Sequence, residues 1–231
     1  MTAPQQMTPT LVAAARAECR FGSLRAVRDA TFAIRAGQQI AVTGVSGSGK
    51  STLLHLIAGL LPVAAGSITW PGLLGDPRLD RTLITVVFQQ PSLLESLTVV
   101  QNVQLPLLLA GHAEPQAARA AEAALAMVGI GDLRDRMPGE LSGGQAQRAA
   151  VARAIAARPR LIVADEPTGH LDHDIARHVI GTLQQAARSA GAALVVATHD
   201  PAVAGAFARR WHMRDGDLFT EPAPTTVQEA P

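Results

Sequence analysis

The chain has 231 residues, 48% of them hydrophobic, which suits one globular domain with a substantial core. A formal net charge of +1 at pH 7 argues against bulk electrostatic binding of nucleic acid. The single cysteine, Cys19, excludes an internal disulfide framework and fits a small buried apolar residue. The most apolar stretch, residues 53–65, is too short for a membrane span and carries His55, and residues 1–10 lack the charged start and apolar run of a signal peptide. The chain is therefore expected to be soluble or peripheral.

Residues 1–10 are polar, contain two prolines and are expected to be disordered. Residues 11–20 and 26–35 read as strands, the second ending at the turn signal Ala36-Gly37. Ile40-Ala41-Val42-Thr43 is a third strand. It leads into Gly44-Val45-Ser46-Gly47-Ser48-Gly49-Lys50-Ser51-Thr52, and Leu53, Leu54, Leu56, Ile57, Leu60 and Leu61 follow with helical spacing. Residues 66–70 read as a short strand before a Pro/Gly loop. The β-branched run at residues 83–88 predicts a strand covered on both faces, closed by Gln89-Gln90-Pro91.

From residue 92 to 136 the signals turn helical. Thr98 caps one short helix, and residues 117–127 form an alanine-rich one. This block, at about residues 91–140, reads as an inserted helical subdomain. Leu141-Ser142-Gly143-Gly144-Gln145 opens another helix that runs to about residue 157 and is stopped by Pro159. Residues 161–164 and 192–197 are buried strands with a helix at about 174–189 between them. Asp215-Gly216 is a hairpin turn, and residues 221–231 form a Pro/Thr/Glu-rich tail expected to be disordered. Strands alternating with helices predict an α/β fold with a mostly parallel sheet and a ligand at the carboxyl ends of its strands.

Strand, glycine-rich loop and helix are the context that makes G-x-x-x-x-G-K-[ST] a phosphate-binding loop. The glycines allow backbone N–H groups to turn toward a phosphate chain, and the helix N-terminus faces the same anion. Lys50 is the chain's only lysine beside 19 arginines, so the loop requires a compact ammonium at that place. Lys50 would neutralise β- and γ-phosphates, and the Ser51 hydroxyl would ligate Mg²⁺. Residues 161–164 end in Asp165-Glu166, two acids where a buried strand meets the ligand edge. Asp165 suits Mg²⁺, directly or through water, and Glu166 suits orienting or deprotonating the attacking water. Gln89 and His199 follow other strands, where glutamine could contact Mg²⁺ or the water and histidine the γ-phosphate and Glu166. His170, His173 and His178 lack cysteines or an ordered carboxylate shell and read as a polar face.

Leu141-Ser142-Gly143-Gly144-Gln145, lying between the phosphate loop and Asp165-Glu166, resembles the signature motif of ATP-binding cassette (ABC) ATPases. The likeness spans about residues 11–219. Val87-Phe88-Gln89, Leu93-Leu94, Thr98, Asn102-Val103, Leu105-Pro106, Gln145-Ala146-Gln147-Arg148 and residues 164–169 resemble in particular the ATPase subunits of macrolide-export and lipoprotein-releasing systems. The resemblance implies a phosphate-loop NTPase core at about residues 11–220, with an N-terminal antiparallel β subdomain and the inserted helices. It implies Mg²⁺-dependent ATP hydrolysis by Lys50, Gln89, Glu166 and His199, with Mg²⁺ held by Ser51, Gln89 and Asp165. Phe21 would stack on adenine, where the family more often has Tyr. Gly44, Ser46, Gly47, Ser48, Gly49, Lys50, Ser51 and Thr52 would hold the phosphates. Ser142, Gly143, Gly144, Gln145 and Asp172 would contact nucleotide across a head-to-tail dimer of two such chains. His170 stands where the family usually has Asn. The implied setting is the cytoplasmic face of a membrane, with no nucleic acid and with a permease subunit docked on residues 91–111. That stretch holds one charge, Glu95, among many leucines and valines. Leu93, Leu94 and Leu97 are the expected contact points. Rival readings are a non-transport ABC ATPase and a small-molecule kinase. The first would typically bring coiled coils, zinc modules or tandem cassettes, and the second has no use for residues 141–145.

Overall fold

The computed structural model describes residues 8–80, 82–169 and 171–220. Of residues 1–10, expected to be disordered, 1–7 lie outside the described residues, as do 221–231 and His170, whereas Thr10 begins the first strand and Pro9 O accepts from Ala36 N at 3.0 Å. Nine strands form one sheet in the order β4-β1-β2-β9-β8-β3-β7-β6-β5. These are β1 (Thr10–Phe21), β2 (Leu24–Arg35), β3 (Gln39–Thr43), β4 (Ala65–Thr69), β5 (Ile84–Val87), β6 (Leu161–Asp165), β7 (Ala193–Ala197), β8 (Arg209–Arg214) and β9 (Asp217–Thr220). From β8 to β5 every pairing is parallel. At the other end β4, β1 and β2 pair antiparallel. One parallel pairing, Arg28 with Asp217, joins the two parts. The helices are α1 (Lys50–Ile57), α2 (Val99–Leu109), α3 (Glu114–Met127), α4 (Gly143–Ala156), α5 (His173–Ala190) and α6 (Pro201–Gly205).

All residues of β6 and β7 are buried, which is why these strands read as continuous apolar runs. Their pleat divides them between two cores. Ile162, Ala164, Leu194 and Val196 join α2, α3, α4 and α5 on one face. Leu161, Val163, Val195 and Ala197 join α1 and the antiparallel strands on the other. Both faces being covered, the polar ligand edge is left at the carboxyl ends of the strands, where β3, β6 and β7 deliver Gly44, Glu166 and His199.

Some boundaries differ from the sequence reading. Helix α1 stops at Ile57, so Leu60 and Leu61 lie outside it. Gly59, at φ 65°, ends it in a Schellman turn in which Gly59 N donates to Leu56 O and Leu60 N to His55 O. Helix α6 was absent from the sequence reading. Asp200 starts it by accepting from Ala202 N at 2.8 Å, and Pro201 stands in its first turn. The Asp215-Gly216 turn joins β8 to β9 with positive φ at both residues, as a two-residue hairpin demands.

Candidate active site

The loop between β3 and α1 is built around backbone that only glycine tolerates. At Gly44, φ 148°, a Cβ would lie 2.3 Å from the Met213 carbonyl oxygen of β8. At Gly49, φ 103°, it would lie 2.3 Å from the Ala26 carbonyl oxygen of β2. The loop is thus pressed against strands from both parts of the sheet, and Gly216 N donates to Ser48 O at 3.1 Å. Lys50 opens α1 and curls back: Nζ donates to Gly44 O at 2.9 Å and Val45 O at 3.1 Å, with the side chain only 7% exposed. No side chain caps α1, and no acid stands in its first turn. Its free N–H groups and the ammonium therefore face one small space whose acid, Glu166, stands 3.9 Å from Nζ, an arrangement that suits a phosphate.

Across that space stands Glu166, at the end of β6. Its N–H donates to Ala197 O at 3.0 Å, and its φ of 45° is unusual for a residue with a side chain. Glu166 Oε1 accepts from His199 Nδ1 at 2.9 Å and lies 3.9 Å from Lys50 Nζ. Gln89, exposed, reaches the same cleft from the loop after β5, and Phe21, half exposed, stands at the far end beside Leu24. The cleft measures about 720 Å³. Ser46, Gly47, Gly49, Lys50, Ser51 and Thr52 line its phosphate end. Asp165 is 5% exposed, and its Oδ1 has no hydrogen-bond partner among the described residues. A buried, unpartnered carboxylate oxygen one residue from Glu166 fits a divalent cation, with the Ser51 hydroxyl as a second oxygen donor.

The remaining sequence-predicted residues are not brought into this cleft. Ser142 is the N-cap of α4: its Oγ accepts from Gln145 N at 3.2 Å while Gln145 Oε1 accepts from Ser142 N at 2.8 Å. Ser142 and Gly143 are exposed. Asp172 caps α5 by accepting from Ile175 N at 3.0 Å. Within one chain the signature residues and the phosphate loop therefore belong to separate surfaces.

Residues 27–169 match the family described as ABC transporter. The chain is 41% identical over 204 residues to the lipoprotein-releasing system ATP-binding protein LolD of Gluconobacter oxydans, covering 85% of this chain and 88% of that protein. It is 36% identical to LolD of Bordetella pertussis, over 84% of this chain and 87% of that one. The chain belongs to the ABC transporter ATPase family. Among solved structures, it is similar to the dimeric post-hydrolysis state of the ATP-binding cassette MJ0796 bound to ADP and Pi. That likeness has 30% identity and a TM-score of 0.82, covering 92% of this chain and 100% of that one. Family membership makes this chain the ATP-hydrolysing subunit of a transporter. No helix among the described residues is long and apolar enough to cross a membrane.

Several residues that shape this cassette were given no such role in the sequence reading. Glu18 is buried in β1. It takes hydrogen bonds from Arg20, and from Arg25 Nε at 2.7 Å and Nη2 at 3.0 Å. The bonds from Arg20 and then Arg25 pull its carboxyl down to about 2, and Arg25 itself lines the cleft. Asn102, fully buried, ties down the turn before α2: its Oδ1 accepts from Leu94 N and its Nδ2 donates to the Leu94, Leu97 and Thr98 carbonyls. A polar residue between Val99 and Val103 on a buried helix face was the available signal for it. His178 bonds the Met127 carbonyl at 3.1 Å, where Thr182 also donates, so it closes the end of α3.

Proposed function

We propose that two copies of this chain pair head to tail, hydrolyse ATP with Mg²⁺ at their shared faces, and drive a separate membrane subunit. The observation that carries this reading is the separation just described. The phosphate cleft is open, while the helix N-terminus at Ser142 and Gly143 is exposed and turned to no site of its own. A second chain would bring that N-terminus to the γ-phosphate, and MJ0796, similar over nearly the whole chain, is a dimer with ADP and Pi.

In this reading Phe21 stacks on the base, and Lys50 with the loop amides holds the β- and γ-phosphates. Asp165, Ser51 and Gln89 would hold Mg²⁺, which when bound neutralises phosphate charge. Glu166 takes the proton of the attacking water; His199, bonded to Oε1, fixes that carboxylate and offers its remaining nitrogen to the γ-phosphate. When the phosphate enters, Lys50 exchanges its carbonyl partners for phosphate oxygens, while Glu166 keeps His199 on Oε1 and meets the water with its other oxygen. The signature residues Ser142, Gly143, Gly144 and Gln145, with Asp172, act on the partner's nucleotide.

The likeness to LolD supports a transporter of the export or lipoprotein-extraction type, with the cassette peripheral on the cytoplasmic face. We read residues 11–220 as the cassette and about 91–140 as its helical subdomain. Residues 91–111 would take the membrane subunit. Of the three expected contacts Leu94 is exposed, whereas Leu93 and Leu97 are half buried and Leu93 packs on the core; Leu108 and Leu109 add exposed apolar surface.

Glu166→Gln tests the reading. It keeps shape and hydrogen bonding but removes the base, so the variant should bind ATP, stop turnover and sediment as a dimer with MgATP. Turnover at the parental rate, or a monomer at saturating MgATP, would defeat it.

A further inference from the structure

The end of the cleft away from the phosphate loop carries a polar fork as well as an apolar face. Phe21 and Leu24 are cross-strand partners at the β1–β2 hairpin, and both are exposed. Both line the cleft, and so does Arg25, next in the chain. A phenyl face stacks on any base and tells none apart. A guanidinium does tell them apart, because its donors match acceptors on a base edge.

Arg25 is fixed more firmly than a free surface arginine. Its Nε donates to Glu18 Oε1 at 2.7 Å and its Nη2 to Glu18 Oε2 at 3.0 Å. Glu18 is buried and also takes a bond from Arg20, the cross-strand partner of Arg25. Bonds from the two arginines hold its carboxyl down at about 2, so the clamp is intact at neutral pH. A buried carboxylate shared by two half-exposed arginines adds little stability for its desolvation cost. What it does fix is the plane of one guanidinium. Among the described residues Arg25 Nη1 has no partner, and its donors remain for a ligand.

We infer that Arg25 is a specificity-determining residue that reads the edge of the base stacked on Phe21 and admits GTP to the site beside ATP. On its major-groove edge guanine presents two acceptors, N7 and O6, which a guanidinium meets as a pair. Adenine presents N7 beside an amino donor, and cytosine presents an amino donor. One side chain thus ranks guanine first, adenine second and cytosine last. Water attacks the γ-phosphate of GTP as it does that of ATP, releasing GDP and phosphate. This inference rests on the reading of Phe21 as the platform for the base.

The test compares KM and kcat of the full chain for ATP, GTP, CTP and 7-deaza-GTP, which carries carbon in place of N7. The parental chain should take GTP with a KM no higher than that for ATP. It should also be about tenfold below those for CTP and 7-deaza-GTP, the loss of a charged donor's bond. Arg25→Met should raise the KM for GTP about tenfold relative to CTP and cease to separate GTP from 7-deaza-GTP. Arg25→Lys keeps the charge without the fork and should lose the same preference. Phe21→Ala should weaken all four nucleotides together. Equal KM values for GTP and 7-deaza-GTP in the parental chain, or a parental GTP-to-CTP ratio in Arg25→Met, overturn the inference. If Phe21→Ala still weakens all four, the platform reading stands. Parental KM values in Phe21→Ala place the base elsewhere and overturn both.

Discussion

Two helix N-termini in this protein are introduced by glycines, and they are finished in opposite ways. The start of α1 is enclosed: β2 and β8 press on its loop, Lys50 is folded inside, and no side chain caps the helix. The start of α4 is exposed and caps itself, Ser142 and Gln145 satisfying each other's backbone donors. Each end is thereby suited to a different task. An uncapped helix start keeps its N–H groups for a ligand, and its ammonium is held by two carbonyl oxygens with Glu166 Oε1 at 3.9 Å. A self-capped start is stable without a ligand and needs only a surface brought to it.

Removing the ammonium breaks the first member of this pair most severely. Lys50→Ala should lower turnover about 100-fold or more and weaken ATP binding by about 2 kcal/mol, since a charged donor to the phosphates disappears. Titration calorimetry with the single chain reads the second effect; binding as tight as the parent's would mean that the cradle alone carries the affinity. At the second member, Ser142→Ala should cost about 1 kcal/mol of stability through the lost cap. It should weaken MgATP-driven dimerisation of the Glu166→Gln chain while ATP affinity of the isolated chain stays parental. Sedimentation and calorimetry together check this, and an affinity loss without a dimer defect would place Ser142 in the chain's own cleft.

The smallest expected effect sharpens the enclosed side. Glu18, which steadies Arg25 at the base end of the cleft, has its carboxyl lowered from 4.5 to about 2 by Arg20 and Arg25. A depressed carboxyl adds stability that is complete above about pH 4.5 and disappears as pH falls toward 2. Parental melting temperature should therefore drop more steeply through that window than that of Glu18→Gln. Parallel curves, followed by circular dichroism, would show that the Arg pairing is too solvent-exposed to matter.

Much was legible in the chain because its signals are local. The spacing of Gly44, Gly49, Lys50 and Ser51 between an apolar strand and a helical stretch states a phosphate loop outright. The unbroken apolar runs that became β6 and β7 announce strands with two covered faces. Each depends on residues a few positions apart, where backbone sterics and hydrogen-bonding period act directly. Tertiary structure decided what depends on distant segments. The approach of Met213 and Ala26 explains why Gly44 and Gly49 admit no side chain. The turn at Glu166 and the bond from His199 aim the carboxylate at Lys50. Glu18 gained Arg25 when the β1–β2 hairpin closed, and Gln147 and Arg153 reached Phe88 and Ser92, 59 and 61 residues away, only when α4 packed beside β5. A buried polar side chain looks ordinary in sequence because its partners are backbone carbonyls and charges that folding alone brings within hydrogen-bond reach.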